Sequence, residues 1–457
     1  MYPPADRLPR PALRSPSTAR PGRSGGGVSV TIAAIAFVLL LAATLVGVTA
    51  FQGGGDAGIG QATEAGLGNQ LLYGGIFVLL LFGTGLRNLR TMLCVPFGVT
   101  LLFGYCYLST LWAIDPATSF RRVTLVAMMT WITFRSVGEL GPDRTLRLLR
   151  QFLLVLLAVN FLAVFLLPDG IHRNLISEEE TVIGSWRGIV SHKNPAGAIT
   201  ALTMVLFLFD NRQFSRGVTI AVVAAAAVFL WFTHSKTSQG VVVLAILAGW
   251  AIRHHDADRR VVLAGMLMVV ATLALLLVSA NIAFIDEVVN DPNALTGRAQ
   301  IWPPLIDYVG QHPWTGAGFQ SFWAIGDASP IFSLTSSWVS TNIQHGHNGY
   351  LDLLVTIGVP GTLLAVATLI VWPLLRLLFS LSIAKPRRSL LLAIILFCAG
   401  QNMAETTILA ASYGHVFLMI ALAIVYRQSQ GSAGQHHQLR RRALRLLGLR
   451  RAARPAR

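Results

Sequence analysis

The chain has 457 residues, of which 54% are apolar and only 12% charged, and its formal net charge is +16. Its apolar residues come in blocks of about 20, the length of helix that crosses a bilayer core. That pattern excludes a large soluble core and makes the basic excess a question of placement before it is a sign of nucleic-acid binding.

In chain order, residues 1–28 are rich in Pro, Arg, Ser and Gly and are expected to be a disordered N-tail. The first apolar run is too long for a signal-peptide core and lacks a small-residue cleavage site, so it reads as an uncleaved span. Spans are expected at 29–51, 70–86, 91–111, 121–138, 148–167, 194–210, 217–233, 239–252, 261–280, 348–377, 389–408 and 413–426. The expected fold is all-α: a polytopic integral membrane protein of about twelve transmembrane helices over 29–426. A large extracytoplasmic loop, 281–347, lies between spans nine and ten, and a basic tail, 427–457, follows the last. With the N-terminus in the cytoplasm, 29 of the 36 Lys and Arg fall on the cytoplasmic side; without the two tails the division is still 15 to 7. The positive-inside rule therefore sets both termini in the cytoplasm. The charge reports topology and attraction to anionic lipid, and no nucleic-acid partner is expected. Cys94, Cys106 and Cys398 all fall inside apolar spans, where they are expected as core residues and not as disulfides or metal ligands.

Cytoplasmic loops are short and basic, whereas the informative polar clusters fall on the other side: LSTLWAIDPATSFRR (108–122), SWRGIVSHKNPAG (185–197), THSKTSQG (233–240), TGRAQIW (296–302) and HGHNGY (345–350). The 281–347 loop is too long for a simple connection, and its Trp/Gly/Pro chemistry suits a folded cap with short helices. Its aromatics (Trp302, Trp314, Phe319, Phe322, Trp323, Phe332, Trp338) are expected as an interfacial belt or as platforms for sugar rings. Arg121 and Arg122 are expected to be structural. A twelve-span transporter or flippase would carry its polar residues near the midplane on broken helices in repeated halves. One-sided clustering suits instead a membrane-embedded substrate with its polar part outside.

The chemistry offered there is a set of cations and imidazoles: Arg187, His192, Lys193, His234, Lys236, Arg298, His345 and His347. Paired carboxylates of glycosidase type are not evident, since Glu178–Glu180 are consecutive. His345-x-His347 has no partnered Cys or carboxylate at a usual ligand spacing, so no metal is expected. Fixed cations favour an anion such as pyrophosphate, which the planar fork of Arg binds through two oxygens at once.

Three motifs carry a resemblance: R-G-x-x-x-H-K-N-P-x-G (187–197), G-R-x-x-I-W followed by H-P-W-x-G-x-G-F (297–319), and H-N-G-Y-L-D-L-L-x-x-x-G-x-x-G (347–361). Together they resemble the O-antigen ligase and polysaccharide polymerase family, particularly its exopolysaccharide-polymerase branch. T-H-S-K-T (233–237) is similar to a family stretch in which Arg is more usual than Lys236. The resemblance implies an enzyme of the bacterial inner membrane, working without metal or other cofactor on the outer face. It would move a glycan from an undecaprenyl-pyrophosphate-linked oligosaccharide to an acceptor glycan or glycolipid, either polymerising repeat units or, as an O-antigen ligase, transferring to lipid A–core. Membrane lipids and other polysaccharide assembly proteins are the further partners it implies. It assigns His347 to the family's essential loop histidine and Arg187 and Arg298 to its pyrophosphate-binding arginines. The residue chemistry agrees: imidazole is a suitable general base for a sugar hydroxyl, and preorganised arginines stabilise the charge developing on a leaving pyrophosphate. Single displacement inverts the anomeric centre. Lys193 and Lys236 are expected to complete the anion site, and Asn348 to orient the base or a sugar hydroxyl. His192, Asn194, His345 and Asp352 are support residues. Asn194 and Pro195 also suit a helix start, and Asp352, one turn past Asn348, either pairs with a cation or tunes His347.

Overall fold

The computed structural model describes residues 27–47, 67–84, 92–173, 182–254, 300–335, 345–379 and 383–446. Their architecture is all-α: α1 (Gly27–Leu45), α2 (Leu67–Gly83), α3 (Phe97–Leu108), α4 (Pro116–Leu166), α5 (Lys193–Leu208), α6 (Arg216–Phe232), α7 (Lys236–His254), α8 (Trp302–Gln311), α9 (Ile331–Leu334), α10 (Gly349–Val366), α11 (Trp372–Phe379), α12 (Lys385–Gln401) and α13 (Tyr413–Leu446). A helix stands at every expected span except 261–280, which lies outside the described residues, as do Arg298, Glu178–Glu180 and Trp338. Three differences from the expected boundaries have local causes. Spans 121–138 and 148–167 run together as α4, bent at Gly141 (φ 74°, ψ 161°) before Pro142; a proline cannot continue the ladder and glycine supplies the left-handed turn. The span expected at 389–408 ends at Gln401, and 402–412 is a compact turn. Finally, α13 continues to Leu446, past the expected tail boundary at 427.

Gly27–Leu45, Pro116–Leu166 and the run Gly349–Phe379 are each long and apolar enough to cross a membrane. Large apolar side chains such as Leu71, Phe82, Val155, Phe165, Ile220 and Leu244 face outward. Outward apolar faces on helices whose backbone bonds are internally satisfied are what a hydrocarbon surround demands. Inside, α4 packs on α1, α2 and α13, α5 on α6 and α7, and α7 on α12. At one end of the bundle Arg150, 1% exposed, donates to the carbonyls of Leu206, Phe209 and Asp210. It thereby meets the orphan acceptors at the α5 C-terminus. Arg387 ties the same end together by pairing with Asp210 and with Asp143 (2.6 Å).

The 300–335 segment, part of the expected 281–347 loop, folds as a cap with the short helices α8 and α9. Its interior is Ile301, Leu305, Tyr308, Ala317, Phe322, Trp323 and Ile331, closed by Val355 of α10. This corrects the reading of the aromatics: Phe319 (1% exposed) and Phe322 (0%) are interior residues. Trp323 is buried as well, while Trp314 and Phe332 are exposed.

The cap is spliced into a membrane helix. In an unbroken helix the Val359 N–H would donate to the Val355 carbonyl. Here Val355 O accepts from the Ala317 N–H (2.8 Å), and the Val359 N–H donates to Pro313 O (2.8 Å). Tyr105 of α3 donates its hydroxyl to the Ile357 carbonyl (3.1 Å). The break rests on Gly358 (φ 64°, ψ −177°), with Pro360 two residues on. Arg122 fastens the other edge: its guanidinium donates to the carbonyls of Gln320, Trp323 and Ala324 at 2.6–3.0 Å. Arg122 is therefore a structural clamp, as expected from the sequence.

A methyl at Gly358 would lie 2.6 Å from the Trp314 carbonyl oxygen in a backbone region that only glycine occupies freely. Gly358→Ala is expected to cost about 2–4 kcal/mol. Thermal unfolding in detergent together with protease cleavage in 312–324 measures it; unchanged stability and protection would contradict the splice.

Candidate functional site

The site is built where three chain segments meet: the turn before α5, the turn before α10 and the turn after α12. His192 has extended backbone (φ −149°, ψ 156°) and caps α5, its Nδ1 accepting from the Asn194 N–H (3.2 Å). Pro195 sits in the first turn, where its missing N–H costs nothing. His172 lies against this turn, its ring 5.2 Å from that of His192 and its Nε2 accepting the Lys193 N–H (3.2 Å). Burial first, and then the neighbouring His172, push the His192 imidazole down to about 4, so it is a neutral wall of the site near neutrality.

Asn348 caps α10, its Oδ1 accepting from the N–H groups of Tyr350 and Leu351, each at 3.2 Å. That carbonyl oxygen is thus spent on the helix start. His347, one residue earlier, sits in the left-handed region (φ 46°), a conformation uncommon outside glycine and typical of strained functional turns. Its N–H donates to His345 Nδ1 (3.3 Å), and the two rings lie 4.0 Å apart.

The third segment was missed from sequence. Asn402 Oδ1 accepts from the N–H groups of Thr407 (3.0 Å) and Ile408 (2.9 Å), closing a turn, and the Asn402 carbonyl accepts the Gly349 N–H (2.8 Å). A side chain at Gly349 would stand 2.2 Å from Asn402 Oδ1, so the approach requires glycine. Within this turn Glu405, 2% exposed, presents Oε1 to Asn194 Nδ2 (2.8 Å) and Oε2 to His347 Nδ1 (3.7 Å). The chain Asn194–Glu405–His347–His345 is the centre of the site. Glu405 adds a single carboxylate to the expected set of cations and imidazoles. The available signal was a single ionisable residue near the end of an apolar stretch, which is costly and usually functional.

The ring of His347 keeps 26% of its side chain exposed, while its Nδ1 is buried without a hydrogen-bond partner among the described residues. The exposed surface of the side chain therefore lies away from Nδ1. Arg187 donates Nε to Asp169 O (2.6 Å) and Nη1 to Ser191 O (3.0 Å), which sets its half-exposed guanidinium beside the His192 turn. Lys193 opens α5 next to His192. Lys236 is exposed at the start of α7, and no contact joins it to the His347 chain among the described residues.

Asp352 is held by neutral donors from three directions. It is 5% exposed and accepts from Trp323 Nε1 (2.9 Å), from the Gly346 N–H (3.0 and 3.1 Å) and from the Thr406 hydroxyl. All three donors are neutral, and together they join the cap, the histidine turn and the Glu405 turn.

No curated protein matches the chain in sequence. Residues 199–366 match the family model described as O-Antigen ligase. The matched segment holds His345, His347, Asn348 and Asp352, while Asn194 and Glu405 flank it in sequence and meet it in space. Residues 199–366 are thus similar to the O-antigen ligase family, whose members are lipid-carrier-dependent membrane glycosyltransferases of ligase or polymerase type.

Proposed function

We propose that this protein polymerises exopolysaccharide repeat units at the outer face of the bacterial inner membrane, with both termini cytoplasmic. The observation that carries the reading is the buried Glu405 carboxylate held 3.7 Å from His347 Nδ1 by Asn194. In this reading the acceptor hydroxyl lies at the Nε2 edge of His347. Its oxygen bonds to the anomeric carbon as the bond from that carbon to the carrier pyrophosphate breaks, and its proton passes to Nε2. The imidazolium so formed is stabilised by Glu405 across the ring, and the displacement inverts the anomeric centre. Charge leaving with the pyrophosphate falls to Arg187 and Lys193 at the α5 turn. Arg298 joins them by resemblance alone and Lys236 as a further cation of the same polar face, and no metal takes part in the step. Asn348 serves the reaction by fixing the start of α10 behind His347.

The description of the matched family favours a second reading, an O-antigen ligase that passes the same donor glycan to lipid A–core. Donor and catalytic layout are shared, so the acceptor decides. Purified protein given carrier-linked oligosaccharide alone is expected to lengthen it; transfer only after lipid A–core is added would establish the ligase reading instead.

His347→Ala is expected to remain in the membrane, to make no polymer and to accumulate carrier-linked repeat units in cells. Normal polymer from that variant would overturn the base assignment. Glu405→Gln keeps the shape and removes the charge, and is expected to lower turnover by roughly 10²-fold, read as initial rate at saturating donor. An unchanged rate would exclude Glu405 from the reaction.

A further inference from the structure

We infer that His345, His347 and Glu405 form a zinc site, and that zinc bound there stops transfer by occupying the base. One ligand atom from each residue lies within 4.8 Å of the others. Two imidazoles and a carboxylate with a fourth position open is a familiar zinc donor set, whose ligand atoms stand about 3.4 Å apart around a tetrahedral ion at about 2.0–2.1 Å. His347 Nδ1 and Glu405 Oε2 are already at 3.7 Å. Side-chain rotation within that 4.8 Å spread brings in His345.

Two further observations point to a ligand. His347 Nδ1 is buried and has no hydrogen-bond partner among the described residues, although it faces a carboxylate. Glu405 is held from behind by Asn194 Nδ2 at Oε1, while Oε2 faces His347 Nδ1. Support of this kind orients ligands and raises metal affinity. Mg²⁺ and Ca²⁺ seek six or more oxygens, which this set does not offer.

The consequence for transfer rests on the base reading above. A ring coordinated through Nδ1 carries its proton on Nε2, and so has no lone pair left to accept one from a sugar hydroxyl. Zinc and the reaction therefore compete for one imidazole. The site takes a borderline-soft divalent cation as an inhibitor, not as a participant in the chemistry.

The test uses full-length, tag-free protein in lipid nanodiscs, stripped with chelator and dialysed against Zn²⁺ or Mg²⁺. Elemental analysis is expected to find one zinc per chain and no retained magnesium, with Co²⁺ giving the visible bands of a four-coordinate ion. Glu405→Gln and His345→Gln are each expected to weaken zinc binding by at least roughly tenfold; either variant suffices if thermal unfolding shows that the other has lost its fold. Saturating zinc is expected to cut wild-type transfer at least tenfold, with recovery on adding chelator. Absence of stoichiometric zinc, or full binding by both folded variants, would overturn the site. Zinc held by these residues without loss of transfer would overturn the block. In that case an inactive His347→Ala places the fault in the inference, and an active one places it in the base reading.

Discussion

Asp352 stands in the first turn of α10 with its carboxylate removed from water, and taking a carboxylate into such a place costs several kcal/mol unless donors surround it. The donors come from three separate stretches: Trp323 of the cap, Gly346 of the histidine turn and Thr406 of the turn after α12. Because each is needed, the carboxylate fixes all three relative to α10. Gly346 immediately precedes His347 and Thr406 immediately follows Glu405, so the separation of His347 and Glu405 is set by a carboxylate hydrogen-bonded to neither. The fit is tight, since a methyl on Gly346 would meet Asp352 Oδ1 at 2.7 Å and Leu305 at 2.8 Å.

The same economy governs the cap. A loop of turns laid against membrane helices has backbone groups to satisfy, and an interrupted helix has a donor and an acceptor to spare. The break at Gly358 frees the Val355 carbonyl and the Val359 N–H, and the Pro313–Ala317 stretch takes both. Arg122 does for 320–324 what Arg150 does for the end of α5, satisfying several carbonyls with one buried guanidinium. The cap thereby forms a wall beside the histidines, with Phe319, Phe322 and Trp323 turned inward to hold it together.

How far the sequence foretold this depends on the range of each contact. Apolar blocks report helix positions because a bilayer imposes one length, and H-K-N-P and H-N-G-Y report helix starts because capping is local: His192 and Asn348 bond within three residues. Asn348 was expected to orient the base or a sugar hydroxyl, and its contacts within the chain follow the local capping rule. The Asn194–Glu405 bond spans 211 positions, and nothing near Glu405 marks it except a charge in an apolar setting. Phe319 and Phe322 were open to a belt or a stacking role because an aromatic in a long loop has the same local signature whether it faces lipid, sugar or its own cap. The Gly141–Pro142 bend within α4 was hidden for the opposite reason: two apolar runs flanking a basic stretch look like two separate spans.

The site account comes down to one claim, that Asn194 and Glu405 act on the reaction together through His347. A double-mutant cycle on transfer rate tests it most directly, with Asn194→Ala, Glu405→Gln and the double variant compared at saturating donor. If Asn194 works by holding the carboxylate, the double variant is no slower than Glu405→Gln alone, a coupling of about 1 kcal/mol or more. Losses that simply multiply would mean the two residues act independently, and the Asn194–Glu405–His347 chain would not be the unit that carries the chemistry.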